Sequence, residues 1–198
     1  MIDWVNARGA RGAVIGGIAA SIHGGARLTK DVDLLLTLPE SDWKRFVEAG
    51  KEFGFRPRTK DALSFAKKSK VLLMVHQPTG IAADIIFGEL PFEHDAVGRA
   101  SQVSFEEFFI PVVSVEDLMV MKAIANRPRD LADIEAVLNQ NPRANIKKAR
   151  ALIKQFSAVL EAPGILSDFD EVFRKRGKKK GRQVNRTRKK AAPKGRGS

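Results

Sequence analysis

The sequence predicts an α/β (α+β) chain: a small mixed sheet flanked by helices, then a helical C-terminal part. Three observations carry this. β-rich runs alternate with helical stretches up to about residue 112. From Ser114 onward apolar residues recur only at helical spacing. With 43% apolar residues in 198, the chain can bury a real core in one domain, or one domain with a small appendage. The expected boundaries are a core over 1–112, helices packed on it over 113–173, and a disordered basic tail over 174–198.

The elements follow in order. Residues 11–16 read as a short strand running into a glycine pair. Gly17 to His23 read as a helix, stopped by Gly24-Gly25. DVDLLLT over 31–37 is a strand. Pro39 to Phe53 predicts an amphipathic helix, with Trp43, Phe46, Val47, Gly50 and Phe53 on one face. VLLMVHQ over 71–77 and IAADIIF over 81–87 predict paired strands joined by a turn at Pro78–Gly80. One or two short strands fall within 103–112. Ser114 with Asp117 three residues on gives a capping-box start. Pro128 suits the first turn of a second helix reaching about Leu138. Ile146, Ala149, Ile153, Phe156 and Leu160 mark a third, and a short one lies near Leu166–Phe173. No internal repeat is present.

Composition narrows the chemistry. There is no cysteine and no tyrosine. That excludes disulfides, thiolate metal sites, a cysteine nucleophile and tyrosine acid–base catalysis. No run of about 20 apolar residues offers a membrane span, and the N-terminus has no secretory apolar region. A cytoplasmic location with no membrane partner is the expectation. The net charge of +12 is concentrated at one end. Of 35 Lys and Arg, 13 lie from Arg174 to Ser198, where there is no acid; the other 22 face 23 Asp and Glu. The body is near neutral. Such a tail is either a solvated end or a polyanion-binding segment acting by counterion release.

The residues that carry chemistry are Gly16-Gly17, Arg27, Thr29, Asp31, Asp33 and Asp84. Asp31 and Asp33 are two apart on a predicted strand, so both project from one face. Two neighbouring carboxylates repel unless a cation lies between them, and an all-oxygen donor set favours Mg²⁺ or Mn²⁺. Asp84 is the sole acid between Ile81 and Phe87. In a buried strand it needs a partner or a metal. Beside the Asp31/Asp33 strand it would complete a three-carboxylate site. Gly16 and Gly17, between a strand and a helix N-terminus, would let backbone N–H groups approach phosphate. Lys122 is the sole charge between Leu118 and Ala125. It shares a helical stripe with Val115, Leu118 and Met119, so its ammonium either reaches solvent or meets an anion, a phosphate or an aspartate. Asp130 and Asp133 serve the N-terminal end of a helix or bind substrate. Arg27 contacts phosphate or pairs with a core acid. Thr29 would orient the loop before Asp31. His23, His76 and His94 lack metal-ligand spacing, and Trp4 and Trp43 read as core or hinge residues.

The stretch VIGGIAASIHGGARLTKDVDLLL resembles the first motif of the polymerase-β-like nucleotidyltransferases, most of all the branch containing the AbiEii-type toxins of type IV toxin–antitoxin systems. Asp84 in AADIIFG resembles the third carboxylate of that family. SVEDLMVMKAIANRPRDLADIEAVL resembles its later lysine-to-aspartate motif, with Lys122, Arg127, Asp130 and Asp133 at the charged positions. The resemblance covers residues 12–140 and leaves the tail aside. It implies a polymerase-β-like nucleotidyltransferase core and nucleotide transfer from an NTP to an acceptor hydroxyl. It also implies metals on Asp31, Asp33 and Asp84, and phosphates on Gly16, Gly17, Arg27, Thr29 and Lys122. Arg127, Asp130 and Asp133 would be accessory. The toxin branch implies tRNA or another RNA as acceptor and an antitoxin protein as partner. The usual Gly-Ser pair is Gly16-Gly17 here, which removes a serine contact to phosphate. The alternatives are a catalytically silent nucleic-acid-binding module on the same fold, or a transferase acting on a small molecule or a protein.

Overall fold

The computed structural model describes residues 1–25, 29–105 and 108–175. Among them the sheet has strands β1 (Arg11–Val14), β2 (Asp31–Thr37), β3 (Phe55–Pro57), β4 (Val71–His76), β5 (Ile81–Phe87), β6 (Ser101–Phe105) and β7 (Phe108–Val112). Their order across the sheet is β3-β4-β5-β2-β1-β7-β6. β2 runs parallel to β5, and β1 parallel to β7; the other neighbours are antiparallel. The helices are α1 (Ile2–Ala7), α2 (Gly16–Ile22), α3 (Trp43–Gly50), α4 (Ala62–Ser69), α5 (Pro91–Gly98), α6 (Val115–Ala125), α7 (Pro128–Gln140) and α8 (Ile146–Val159), followed by α9 over 163–175. The chain divides into two compact units, Met1–Met119 and Val120–Ser198.

The first unit is built on one buried face of the sheet. Leu34, Leu36, Leu72, Met74, Ala83, Ile85 and Phe87 alternate inward along β2, β4 and β5. Trp4 of α1 stacks on Phe46 at 4.2 Å and on Phe55 at 5.1 Å, and Trp43 stacks on Phe87 at 3.9 Å. Both indoles are satisfied: Trp4 Nε1 donates to the Phe46 carbonyl and Trp43 Nε1 to the Leu38 carbonyl, each at 3.0 Å. Gly50 is required here, because a Cβ would stand 2.7 Å from the Trp4 ring.

The stretch expected as one helix from Pro39 to Phe53 is α3 with a 3-10 turn at each end, Glu40–Asp42 and Lys51–Phe53. Gly54, at φ 78°, then turns the chain into β3. α1, β3, α4 and α5 were not expected. β3 is three residues long, and α4 buries only Ala62 and Ala66, so neither shows a strong period. α5 did carry a readable signal. Pro91 opens it, and Glu93 Oε2 reaches back to the N–H groups of Glu89 and Leu90 at 2.8 and 2.9 Å.

At the start of α6, Ser114 Oγ accepts from the Asp117 N–H at 3.1 Å and donates to its carboxylate at 2.7 Å. Asp117 is fully buried and also holds Arg99 at 2.9 Å. In the second unit, Arg150 grips Asp170 with two bonds of 2.7 Å, tying α8 to α9. Arg27 and the basic tail beyond residue 175 lie outside the described residues. No helix among the described residues is long and apolar enough to cross a membrane.

Candidate active site

The site lies on the second, more open face of the sheet in the first unit. β2 and β5 pair in parallel, with Asp33 directly opposite Asp84 and Asp31 opposite Ala82. Opposed residues share a face, so the two carboxylates stand side by side and Asp31 lies one row along. Asp84 continues this row into β4 and β3. It pairs with Leu73, and the Arg58 N–H donates to the Leu73 carbonyl at 2.9 Å. Arg58 therefore lies on the same face and reaches across to form an ion pair with Asp84. Burial raises the Asp84 carboxyl above the ordinary aspartate value; Arg58 opposes the rise and the charge of Asp31 adds to it.

The glycine pair is shaped by Asp33. β1 ends at Val14, the Ile15 N–H bonds the Asp33 carbonyl at 3.0 Å, and the chain turns at Gly16 with φ 64°. Gly17 then donates its N–H to Asp33 Oδ2 at 3.4 Å. A methyl group on Gly16 would overlap the Asp33 carboxylate, and one on Gly17 would stand 2.9 Å from Thr29 Cβ. Thr29 Oγ1 in turn bonds the Asp31 carbonyl at 3.2 Å and accepts from its N–H at 3.4 Å. Gly16, Gly17, Thr29, Asp31, Asp33 and Asp84 are thus brought together. A Gly16→Ala protein is expected to lose about 1–2 kcal/mol from the left-handed backbone alone, and to lose transfer because Asp33 is displaced. Thermal melts read the first and a nucleotide-transfer assay the second.

The donor set fits a hard divalent cation in kind: three carboxylates on one face, two of them side by side. Among the described residues, however, no three such groups converge closely enough to clasp an ion as they stand. Asp84 is turned onto Arg58 instead. Sequence reasoning missed Arg58. It sits just after a three-residue strand, and its place beside Asp84 depends on a register across three strands.

Lys122, Arg127, Asp130 and Asp133 form a cluster of their own in the second unit. Lys122 Nζ bonds Asp130 Oδ1 at 2.9 Å and Asp133 Oδ2 at 2.7 Å. Arg127 closes on Asp130 from the other side. Asp130 is fully buried, and Lys122 and Asp133 are each 6% exposed. Burial pushes the Asp130 carboxyl up, but hydrogen bonds from Arg127 and Lys122 outweigh it and hold the group below its ordinary value. Among the histidines, His23 donates to the Val113 carbonyl at 2.8 Å and His76 bonds Thr79 Oγ1 at 2.9 Å.

The family model described as the nucleotidyl transferase AbiEii toxin of type IV toxin–antitoxin systems matches residues 9–194. No curated protein matches the sequence. Among solved structures, the solution structure of the antibiotic-resistance factor ANT(2'')-Ia is similar with a TM-score of 0.56 at 15% identity, over 82% of this chain and 90% of that one. The crystal structure of ANT(2'')-Ia in complex with adenylyl-2''-tobramycin gives 0.53 at 13% identity, over 80% and 94%. At such identities the likeness speaks for the fold, which is that of nucleotidyltransferases. With the family match spanning nearly the whole sequence, the chain belongs to the AbiEii nucleotidyltransferase toxin family and is a nucleotidyltransferase.

Proposed function

We propose that the protein moves a nucleotide from an NTP to an acceptor hydroxyl on RNA, tRNA being the acceptor the family suggests, as the toxin of a cytoplasmic toxin–antitoxin pair. The observation that carries the chemistry is the direct opposition of Asp33 and Asp84, with the glycine turn folded onto Asp33. The acid-free tail, with 13 Lys and Arg, supports RNA as the partner.

In this reading Asp31, Asp33 and Asp84 hold Mg²⁺ or Mn²⁺. The cation supplies charge neutralisation for the phosphate oxygens and the leaving pyrophosphate. Gly16 and Gly17 hold the phosphate chain at the start of α2, with Thr29 beside them and the charge of Arg27 as a further phosphate contact. The acceptor oxygen bonds to the α-phosphorus as the bond to the β-phosphate bridging oxygen breaks, and pyrophosphate departs in line. Asp84 takes the proton of the attacking hydroxyl.

The test is incubation with each labelled NTP, Mg²⁺ or Mn²⁺, and total RNA or protein. Labelled RNA with release of pyrophosphate, abolished by a chelator, is expected. Label on protein would move the acceptor class. No label with any NTP would overturn the reading.

A further inference from the structure

The open face of the sheet carries two arginines as well as three aspartates. β3 and β4 pair with Arg56 opposite Val75, and Val75 continues through Ala82 to Asp31. Arg58 aligns through Leu73 with Asp84 and Asp33. The face thus reads as two parallel rows, each with arginine at the β3 end and aspartate at the β2 end. Between them lie the half-buried Leu73, Val75 and Ala82, a low apolar floor. Arg58 is one-third exposed and paired with Asp84. Arg56 is half-buried; its Nη1 donates only to the Phe55 carbonyl at 3.3 Å, and it has no carboxylate partner among the described residues.

The order along the row has a chemical meaning. In an in-line displacement the attacking and leaving oxygens lie on opposite sides of the phosphorus. On the nucleotidyl-transfer reading above, the phosphate chain lies at the glycine pair, on the β1 side of Asp33. The attacking hydroxyl then comes from the other side, past Asp84, where strands about 4.8 Å apart carry the face out to Arg58 and Arg56. Two guanidinium groups at that entrance repel a polycationic acceptor. They suit a phosphate, which their planar fork grips with two bonds.

We propose that Arg56 and Arg58 form the acceptor subsite, and that the acceptor carries a phosphate next to the hydroxyl that is modified. Arg58 exchanges Asp84 for that phosphate. The carboxylate it leaves is then available to the cation and to the hydroxyl proton. Both the end of a polynucleotide and a small phosphorylated molecule offer this chemistry.

The experiment compares wild type with Arg56→Ala, Arg58→Ala, the double variant and Arg58→Lys. Arg56→Ala breaks no ion pair among the described residues, so it remains readable even if Arg58→Ala folds poorly. Acceptor binding is read by anisotropy of a short labelled RNA with a free 3′ hydroxyl, competed by a nucleoside 5′-monophosphate or by the unphosphorylated nucleoside. NTP binding is read separately with a fluorescent NTP.

Each single alanine variant is expected to weaken RNA binding and raise the acceptor KM about tenfold, the worth of one charge-assisted contact. The NTP dissociation constant should stay within about twofold, and Arg58→Lys should recover part of the loss. Competition by the monophosphate at micromolar concentration would assign a small acceptor; competition only by RNA would assign a polynucleotide end. Unchanged RNA binding and KM in the double variant would overturn the subsite. So would an equal loss of NTP affinity, or competition as strong by the bare nucleoside. Absence of NTP binding by the wild type would instead strike at the transferase reading, and RNA binding would still report on the arginines.

Discussion

Asp33→Asn is expected to abolish nucleotide transfer while leaving the protein folded. Asparagine keeps an oxygen to accept the Gly17 N–H, which is bound at 3.4 Å, so the glycine turn loses little. What disappears is one negative charge beside Asp84. If Asp33 holds the proposed cation, its loss removes several kcal/mol of transition-state stabilisation, a fall on the order of a thousandfold in rate. Stability should hold or rise, because the repulsion among Asp31, Asp33 and Asp84 is relieved. The measurements are a labelled-NTP transfer assay, a thermal melt and a titration with Mn²⁺. Near-normal transfer by well-folded Asp33→Asn protein would sink the three-carboxylate site.

Lys122→Ala is expected to have the largest effect on stability. The change takes the Lys122 ammonium away from two buried carboxylates, Asp130 and Asp133. Removing one partner of a buried ion pair costs roughly 3–5 kcal/mol, which for a chain of this size lowers Tm by roughly 10 °C. The sign with pH follows from Asp130. Its carboxyl is held below the ordinary value in the folded protein, so its contribution is present above about pH 4 and fades as pH falls through the lowered value. Without Lys122, Asp130 loses one of the two cations that hold its carboxyl ionised, and the deficit of the variant should narrow in acid. Melts at several pH values, with and without NTP, check both points. A large fall in Tm with unchanged NTP affinity would rule out a phosphate contact for Lys122. A small fall with weakened NTP binding would rule out the aspartates as its main business.

The parts of the fold legible in sequence were those with strong local signals. β2 and β5 occupy the predicted ranges, because DVDLLLT and IAADIIF are β-rich runs bounded by turn residues. α7 starts at Pro128 as expected, after an extended Arg127. α6 ends at Ala125, and the left-handed φ of 46° at the following Asn126 helps bring α7 back so that Asp130 and Asp133 meet Lys122. The residue types alone had left phosphate and aspartate both open for that ammonium. The opposition of Asp33 and Asp84 joins positions about 50 residues apart, and no local pattern fixes such a register. Arg58 was hidden twice over, by a strand too short to predict and by a pairing too distant to infer.

The two indoles stacked in the sheet's core make a selective reporter. Trp4 and Trp43 are the sole tryptophans, both are buried, and the chain has no tyrosine. Every emitting side chain excited near 295 nm therefore belongs to Met1–Met119, and Val120–Ser198 is silent. Far-ultraviolet ellipticity, by contrast, registers the helices of both. Recording the two signals on one heated sample separates the halves without labels. In Lys122→Ala protein, the interval between loss of ellipticity and the red shift of emission measures how far the carboxylate-bearing half stands without the other.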